Sequence, residues 1–516
     1  MTHVSFNFPM LTIVFALMCA AATSAIHSKR VSRTVSIVLL AVVAAMTICT
    51  LRDVLAVGGT VTYKMGKASA PWGNELRFGP MELGMSLFFT LVMLLTVFAG
   101  RKYYDRDISD HKANLYYVMV DLTQAAMLAL AYTNDVFTAF VFVEICTIAS
   151  AGLLMSKRIG RTTLASVRYL IFSLVGSGLF LIGVVLLYGV TGHLLMPFIR
   201  PAVEQLWAAG TYRIPLIVVI ALVSMGLAVK SGLWPFHLWM PDTYSYTTPA
   251  SSGVLSGLIS KIYILLLIKF IYQVIGPEVY YASGVGNILF LLGLAGMFFG
   301  SVSAIRENDI RRMLAFSSAA QIGYIYMGIG LSPALGVAAA LFHILAHALT
   351  KPLLFLSAAD LAEAGGGVTF ADLQNTAYRV PLAGFGFLVG SLSMVGIPLF
   401  MGFIAKVQLA SAAVGSGWRM LPALIMLAVS TILNTMYFLR TVLRIYSPHP
   451  VAPEHGPARE AGLPPMLPDP VERIAPDRCF VVSAVVFIAG NVALGVCAQP
   501  LITLLQQGLA LLGGAA

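Results

Sequence analysis

Apolar runs of about twenty residues recur along almost the whole of this 516-residue chain. A run of that length spans a bilayer as a helix, whereas membrane β-strands are about ten residues long and alternate in polarity. The composition agrees, because only 10% of the residues are charged, where a soluble domain carries roughly a quarter. The sequence therefore predicts an all-α polytopic membrane protein.

We expect about fourteen transmembrane helices. Loops rich in Lys and Arg alternate with loops that lack them, so the positive-inside rule predicts an inner (plasma) membrane protein with both termini outside the cytoplasm. These loops explain the net charge of +10, so lipid rather than nucleic acid is the expected partner. The predicted spans are approximately 8–26, 33–51, 81–100, 114–132, 135–155, 163–190, 212–236, 250–275, 285–303, 311–330, 334–357, 380–416, 418–444 and 478–512.

Two of these spans contain helix-breaking residues. The seventh contains Gly232 and Pro235, and the twelfth contains Gly396 and Pro398. Broken spans at matching positions of two halves indicate an inverted-repeat transporter. Because the two spans are five positions apart, they run in opposite directions. The helix breaks also leave backbone groups unpaired, which a membrane tolerates only beside a wet cavity.

Lys230 lies inside the long apolar run from Ile214 to Met240. A cation at membrane depth is costly and usually marks a route for ions or protons. Glu144 stands in another apolar run and is predicted to pair with Lys230, because a nearby carboxylate favours the charged lysine while burial disfavours it. The alternative is a static buried ion pair that only fixes helix packing.

The eighth and eleventh spans carry further candidates for proton transfer. Lys261 is central in its span, too deep for easy snorkelling, whereas Lys269 lies nearer the outer end and fits snorkelling better. His343, His347 and Lys351 are spaced by four and stack on one helix face. Imidazole titrates near neutral pH, which favours a relay. Satisfied core histidines are the alternative, and Lys351 either caps the relay or faces water.

Three more ionisable residues complete the set. Lys406, in the later part of the twelfth span, is predicted to be the terminal proton donor, with an outer-surface lysine as the alternative. Asp121 either joins a water path or pairs with a basic residue of a partner. His237, just after the first helix break, is an accessory candidate.

A metal site is not predicted. His343 and His347 lack the Glu of H-E-x-x-H and an obvious third ligand. None of the five cysteines forms a C-x-x-C pair, so zinc and iron–sulfur sites are not expected. An intramembrane metalloenzyme and a purely structural membrane scaffold remain as alternatives of other classes.

Four segments resemble a known family. They are 230–242 (KSGLWPFHLWMPD), 250–261 (ASSGVLSGLISK), 308–318 (NDIRRMLAFSS) and 347–351 (HALTK). They are similar to the antiporter-like subunits shared by respiratory complex I, Mrp-type Na+/H+ antiporters and membrane-bound energy-converting hydrogenases. The similarity extends from about residue 80 to 440. One departure is that Tyr244 to Thr248 follows Met-Pro-Asp, where the family often has His or Glu.

The resemblance implies a fourteen-helix fold with two inverted five-helix repeats. It implies that Glu144 and Lys230 are the charge-coupling pair and that Lys261, the histidines and Lys406 complete a central hydrophilic axis. It also implies other membrane subunits as partners, among them further antiporter-like subunits and a peripheral redox module, and neither a cofactor nor a catalytic site within this chain. The expected divisions are 1–112 (helices 1–3), 113–278 (first repeat), 279–445 (second repeat), 446–477 (Pro-rich cytoplasmic linker) and 478–516 (helix 14).

We therefore predict a proton-translocating, antiporter-like subunit of a multisubunit redox-driven complex. Protons would enter near Lys230, pass along Lys261 and the histidines, and leave past Lys406. The driving force would come from a neighbouring subunit through Glu144. The alternative is a subunit of an Mrp-type Na+/H+ antiporter, in which an ion gradient replaces redox energy.

Overall fold

The protein was analysed as a computed structural model. It describes residues 4–67, 73–109, 112–157, 160–447 and 473–513, so most of the predicted proline-rich linker lies outside the described residues. Thirteen helices in the described part are long and apolar enough to cross a membrane, and two shorter apolar helices supply a further, broken crossing. The prediction of an all-α polytopic protein with about fourteen spans is confirmed.

The N-terminal part contains three spanning helices, a short helix and a two-stranded antiparallel hairpin, in which Val61 pairs with Phe78. The sequence analysis did not predict the hairpin, because four-residue strands give too little alternation to detect. The elements are α1 (Phe8–Ser24), α2 (Lys29–Val57), β1 (Val61–Lys64), β2 (Glu75–Phe78), α3 (Pro80–Ala99) and α4 (Arg101–Asp107).

The next part carries the first broken helix. The short helix α8 was not predicted; Arg200, Pro201 and Glu204 interrupt its apolar pattern. The elements are α5 (Ala113–Tyr132), α6 (Val136–Met155), α7 (Gly160–Thr191), α8 (Met196–Ala209), α9 (Arg213–Ser231), α10 (Met240–Tyr246), α11 (Pro249–Val254) and α12 (Ser260–Lys269).

The following part carries the second broken helix, and the chain then ends in two helices. The elements are α13 (Pro277–Ala282), α14 (Val285–Arg306), α15 (Ile310–Leu331), α16 (Leu335–Gly365), α17 (Thr376–Arg379), α18 (Pro381–Val395), α19 (Met401–Ala413), α20 (Met420–Tyr446), α21 (Arg478–Val496) and α22 (Gln499–Leu512).

The predicted last span, 478–512, is wrong in its length. The helix ends at Val496, and α22 starts a new helix with Pro500 in its first turn. Proline lacks the N–H that would continue the preceding helix, whereas the first turn of a helix leaves its N–H groups unpaired anyway. The new helix packs on α3, and Arg77 of β2 donates to the carbonyl of Leu511 at 2.9 Å.

Both predicted helix breaks are present. Helix α9 ends at Gly232 with φ +81°, and α18 ends at Gly396 with φ +89°. Glycine adopts this left-handed conformation without the steric cost of a Cβ atom. A Cβ at Gly396 would also lie 2.8 Å from Lys406 Cδ, so this glycine gives the lysine its space.

The eighth span is irregular in a way that the sequence did not predict. Residues Pro249–Ile275 form one buried crossing, in which π-helical turns at Leu255–Ile259 and Phe270–Ile275 alternate with α11 and α12. Such wider turns are frequent at functional sites. The apolar stretches of this span and of α16 are fully buried in the structure, so the residues that these stretches carry lie inside the bundle.

Candidate functional site

Lys230 and Glu144 lie together, as the pairing prediction requires. Lys230 Nζ is 3.6 Å from Glu144 Oε1 and donates to Thr147 Oγ1 at 2.7 Å. Glu144 also accepts a hydrogen bond from Ser177 of α7. The lysine stem fits against α7 because residue 176 is glycine, where a Cβ would lie 2.9 Å from Lys230 Cγ. The fully buried Lys230 ammonium thus has one carboxylate as counter-charge and one hydroxyl as hydrogen-bond acceptor.

Tyr263 links this pair to the helix that carries Lys261. Its ring centroid is 5.4 Å from Lys230 Nζ, and its hydroxyl is 3.5 Å from Thr147 Oγ1. Lys261 is fully buried, and its ammonium donates to the carbonyl of Ser256 in the π-helical turn. Because a π-helical turn shifts the backbone hydrogen-bond register, this carbonyl is available to the lysine.

The histidines of α16 lie deep in the bundle, on the face predicted from their spacing. His343 Nε2 is 2.9 Å from Gln321 Oε1, and its ring stacks on Tyr324 with centroids 5.3 Å apart. His343 Nδ1 and both ring nitrogens of His347 have no hydrogen-bond partner in the part of the chain that is described. A histidine kept only for packing would have its polar atoms paired, so the interpretation as satisfied core residues fits poorly.

Lys351 is buried and does not face water. Its Nζ donates to the carbonyl of Leu314 at 3.0 Å and to Ser317 Oγ at 2.9 Å. The Tyr437 hydroxyl lies 3.1 Å from Ser317 Oγ and 2.8 Å from Asn434 Oδ1. A side-chain hydrogen-bonded chain therefore starts at Lys351 and crosses from α15 to α20.

The same chain ends beside Lys406. Asn434 Nδ2 donates to the Tyr324 hydroxyl at 3.3 Å, and Lys406 Nζ lies 5.3 Å from the centroid of the Tyr324 ring. Lys406 Nζ also donates to Thr431 Oγ1 at 3.0 Å and to the carbonyl of Val395 at 2.7 Å. That carbonyl is free because α18 stops there. Lys406 is buried, so the alternative of an outer-surface lysine is wrong.

The sequence analysis missed the members of this hydrogen-bonded chain. Single Ser, Asn and Tyr residues are common in membrane helices, and only their meeting across helices gives them a role. The available signal was weak: Asn434 and Tyr437 are three residues apart on one face of α20.

Three candidates lie apart from the axis or contribute differently. Asp121 accepts from Thr23 of α1 at 3.3 Å, and none of its hydrogen bonds among the described residues reaches an axis residue. His237 is buried, with its ring edge-on to Phe316. Lys269 is fully buried, so the snorkelling prediction for it is wrong.

Among the residues that the structure describes, no group of three or more His, Cys, Asp or Glu side chains could hold a metal ion. The metalloenzyme alternative therefore finds no support. The chemistry that the arrangement offers is transfer of protons between lysines, imidazoles and hydroxyl groups that are enclosed by the surrounding helices.

Several known proteins are similar to this chain. The family model for the transmembrane part of NADH:quinone oxidoreductases and Mrp antiporters matches residues 133–433, which is more than half of the chain. The NADH-quinone oxidoreductase subunit N of Desulforudis audaxviator is 31% identical over 468 residues, which are 89% of this chain and 90% of that protein.

Two antiporter relatives extend the comparison. A Na+/H+ antiporter subunit of Alkalihalophilus pseudofirmus is 28% identical over 69% of this chain and 70% of its own. A chain in the solved structure of the Mrp complex from Dietzia is 25% identical, with a TM-score of 0.85 over 99% of this chain and 98% of its own. The chain thus belongs to the NADH:quinone oxidoreductase/Mrp antiporter transmembrane family.

Proposed function

We propose that this chain translocates protons as an antiporter-like subunit within a larger assembly of membrane subunits. The observation that carries the proposal is a row of ionisable side chains buried in the middle of the bundle: Lys230, Lys261, His347, Lys351 and Lys406. Each charge at membrane depth costs several kcal/mol, so such residues are retained where they carry ions or protons. A structural scaffold has no need of five.

The Glu144–Lys230 pair is the proposed point of coupling. The Lys230 side chain is fully buried, whereas 28% of the Glu144 side chain is exposed at the side of the bundle. A neighbouring subunit can therefore act on the carboxylate without reaching the lysine. When Glu144 is drawn away or neutralised, Lys230 loses its counter-charge, and its burial then favours release of the proton.

Proton transfer continues through Lys261 and the histidines of α16. His347 interacts electrostatically with both Lys261 and Lys351, so a proton that arrives at one of these groups disfavours protonation of the others. Lys351 opens the hydrogen-bonded chain to Tyr324, beside Lys406, where the proton leaves. The hydroxyl groups in this chain can accept one hydrogen bond while they donate another, and the Asn434 amide holds the hydroxyls of Tyr437 and Tyr324 together.

We favour a redox-driven assembly, because the relative that covers 89% of this chain is a subunit of an NADH-quinone oxidoreductase. Its partners would include further antiporter-like subunits and a peripheral redox module. The second candidate is an Mrp-type Na+/H+ antiporter subunit, which the structural likeness to the Dietzia Mrp complex favours. The buried lysines serve either assembly in the same way.

The membrane orientation and the repeat division are part of the proposal. The charge of the loops supports both termini outside the cytoplasm, with the β-hairpin and α22 at the outer end. The two broken helices support the division into repeats at 113–278 and 279–445, because each repeat then contains one lysine beside a helix break.

The test uses the assembled complex in proteoliposomes. Lys230→Ala should reduce proton translocation about a hundredfold, the order expected when a proton-transfer group is removed. The exposed Lys64 of β1 provides the control, and Lys64→Ala should translocate normally. Normal translocation by Lys230→Ala in an intact complex would contradict the proposal. Translocation driven by electron donors, compared with translocation driven by a Na+ gradient, decides between the two assemblies.

A further inference from the structure

A second group of buried charges lies outside the central axis, between α3 and α12. Glu82 is 1% exposed and Lys269 is fully buried. Lys269 Nζ donates to the carbonyls of Ala131 and Thr133, both at 2.7 Å. Glu82 Oε2 accepts from the backbone N–H of Gly79 at 3.1 Å. The two side chains interact electrostatically without forming a direct ion pair.

The hydrogen bond from Gly79 does not explain why a buried carboxylate stands at position 82. Glu82 is the third residue of α3 and reaches back to the N–H of the residue before the helix, which Gln does as well as Glu, and one oxygen is enough. The other oxygen, Oε1, has no hydrogen-bond partner among the described residues. A buried carboxylate with an unpaired oxygen is costly, so its retention beside a buried lysine indicates a further role.

A polar stripe leads from Glu82 toward the middle of the bundle. Glu82, Ser86 and Thr90 are four residues apart and share one face of α3. Thr90 Oγ1 accepts from Gln124 Nε2 of α5 at 2.8 Å. Ser86 Oγ and Gln124 Oε1 are buried and have no partner in the described part of the chain. Buried unpaired oxygens in a row are the surroundings in which internal water is held.

The other side of the pair is connected to the surface. Asn134 follows the carbonyl that Lys269 binds, and its Nδ2 donates to Glu75 Oε2 at 3.3 Å. Glu75 begins β2, next to Asn74. Asn74 lines, with Asp135 and other residues, an open groove of about 720 Å³ at this end of the bundle.

We propose that Glu82 and Lys269 form a second proton-transfer pair, which connects the interior with this groove through Glu75. The step is a proton passed from the Lys269 ammonium to the Glu82 carboxylate and then to the Glu75 carboxylate, with water between them. Lys269 is eight residues beyond Lys261 on the same span, which is about 12 Å along a helix. The inference rests on the proposed function and adds a branch that does not pass Lys406.

The deciding variant is Glu82→Gln, since its amide oxygen can still cap Gly79. In the assembled complex in proteoliposomes, with the exit past Lys406 removed by Lys406→Ala, Glu82→Gln should reduce the remaining proton translocation about tenfold, at the weaker end of what a positioned acid–base group contributes. An infrared carboxyl band that responds to turnover should disappear as well. Glu278, exposed in the first turn of α13, gives the matched control, and Glu278→Gln should leave both readouts unchanged.

The outcomes separate this inference from the proposed function. If Glu82→Gln leaves the translocation that remains in Lys406→Ala unchanged, while Lys230→Ala reduces translocation, the second pair is refuted and the main axis stands. If Lys230→Ala also translocates normally, the proposed function fails. If Glu82→Gln does not assemble, Glu75→Gln in the hairpin replaces it: reduced translocation supports the branch, and normal translocation overturns it.

Discussion

The two broken helices place a buried lysine in different surroundings. Lys230 has a carboxylate at 3.6 Å and a hydroxyl at 2.7 Å. Lys406 donates to a backbone carbonyl and a hydroxyl, and no carboxylate pairs with it among the described residues. A carboxylate can be moved or neutralised, whereas a carbonyl fixed by a helix end cannot. A helix break therefore lies beside each lysine, but the counter-charge of Lys230 can change whereas the partners of Lys406 cannot. We refer to Lys230 as the adjustable lysine and to Lys406 as the fixed lysine.

The largest expected effect concerns the adjustable lysine. Glu144→Ala leaves buried Lys230 with the Thr147 hydroxyl and the Tyr263 ring but no counter-charge among the described residues, and proton translocation should fall about a hundredfold. Glu144→Asp keeps the charge and should restore part of the flux. Both are measured in proteoliposomes, with assembly checked on native gels. Equal flux in Glu144→Ala and wild type would remove the distinction between the two lysines.

The second prediction concerns stability, which should depend on Gly396 because this glycine makes room for the fixed lysine. Gly396→Ala combines a positive φ with a Cβ 2.8 Å from Lys406 Cδ, and we expect a loss of about 2 kcal/mol in stability. Gly58 has φ +72° with no atom within 4 Å of its Cβ position, so Gly58→Ala gives the backbone cost alone. Thermal unfolding of the complex should therefore show a larger shift for Gly396→Ala. Equal shifts would mean that Lys406 has room to move.

The hydrogen-bonded chain should matter more than any single hydroxyl at the surface. Tyr437→Phe removes the link between Ser317 and Asn434, and proton flux should fall about tenfold if transfer follows this chain. Tyr378 is exposed, and Tyr378→Phe should have no effect in the same flux assay. Unchanged flux in Tyr437→Phe would exclude this route from Lys351 to Lys406.

The smallest expected effect is that of removing the threonine hydroxyl that each of the two lysines binds. Thr147→Val and Thr431→Val each remove one hydrogen bond to a buried lysine, worth about 1 kcal/mol or roughly a fivefold change. Thr431→Val should reduce proton flux more, because no carboxylate among the described residues pairs with Lys406. The ratio of the two fluxes is the measurement, and a greater loss in Thr147→Val would reverse the comparison.

The features predicted correctly are those that local sequence specifies. A charge in an apolar run and a Gly/Pro pair inside a span are visible in one window, which is why the breaks and the buried Lys230 and Lys406 were predicted. Features that depend on neighbouring helices were not. Depth along a span does not say which helices cover it, so Lys269 was misjudged, and the chain from Lys351 to Tyr324 needs three helices to be placed first.

The partly uncovered Glu144 has a consequence for assembly. A chain inserted alone would present this carboxylate to hydrocarbon, where an ionised group is strongly disfavoured. Docking of a polar neighbouring surface would relieve that penalty and at the same time set the charge that Lys230 senses. An isolated copy would therefore lack the polar surroundings that Glu144 requires, and assembly with a neighbouring subunit would itself be a condition for proton transfer.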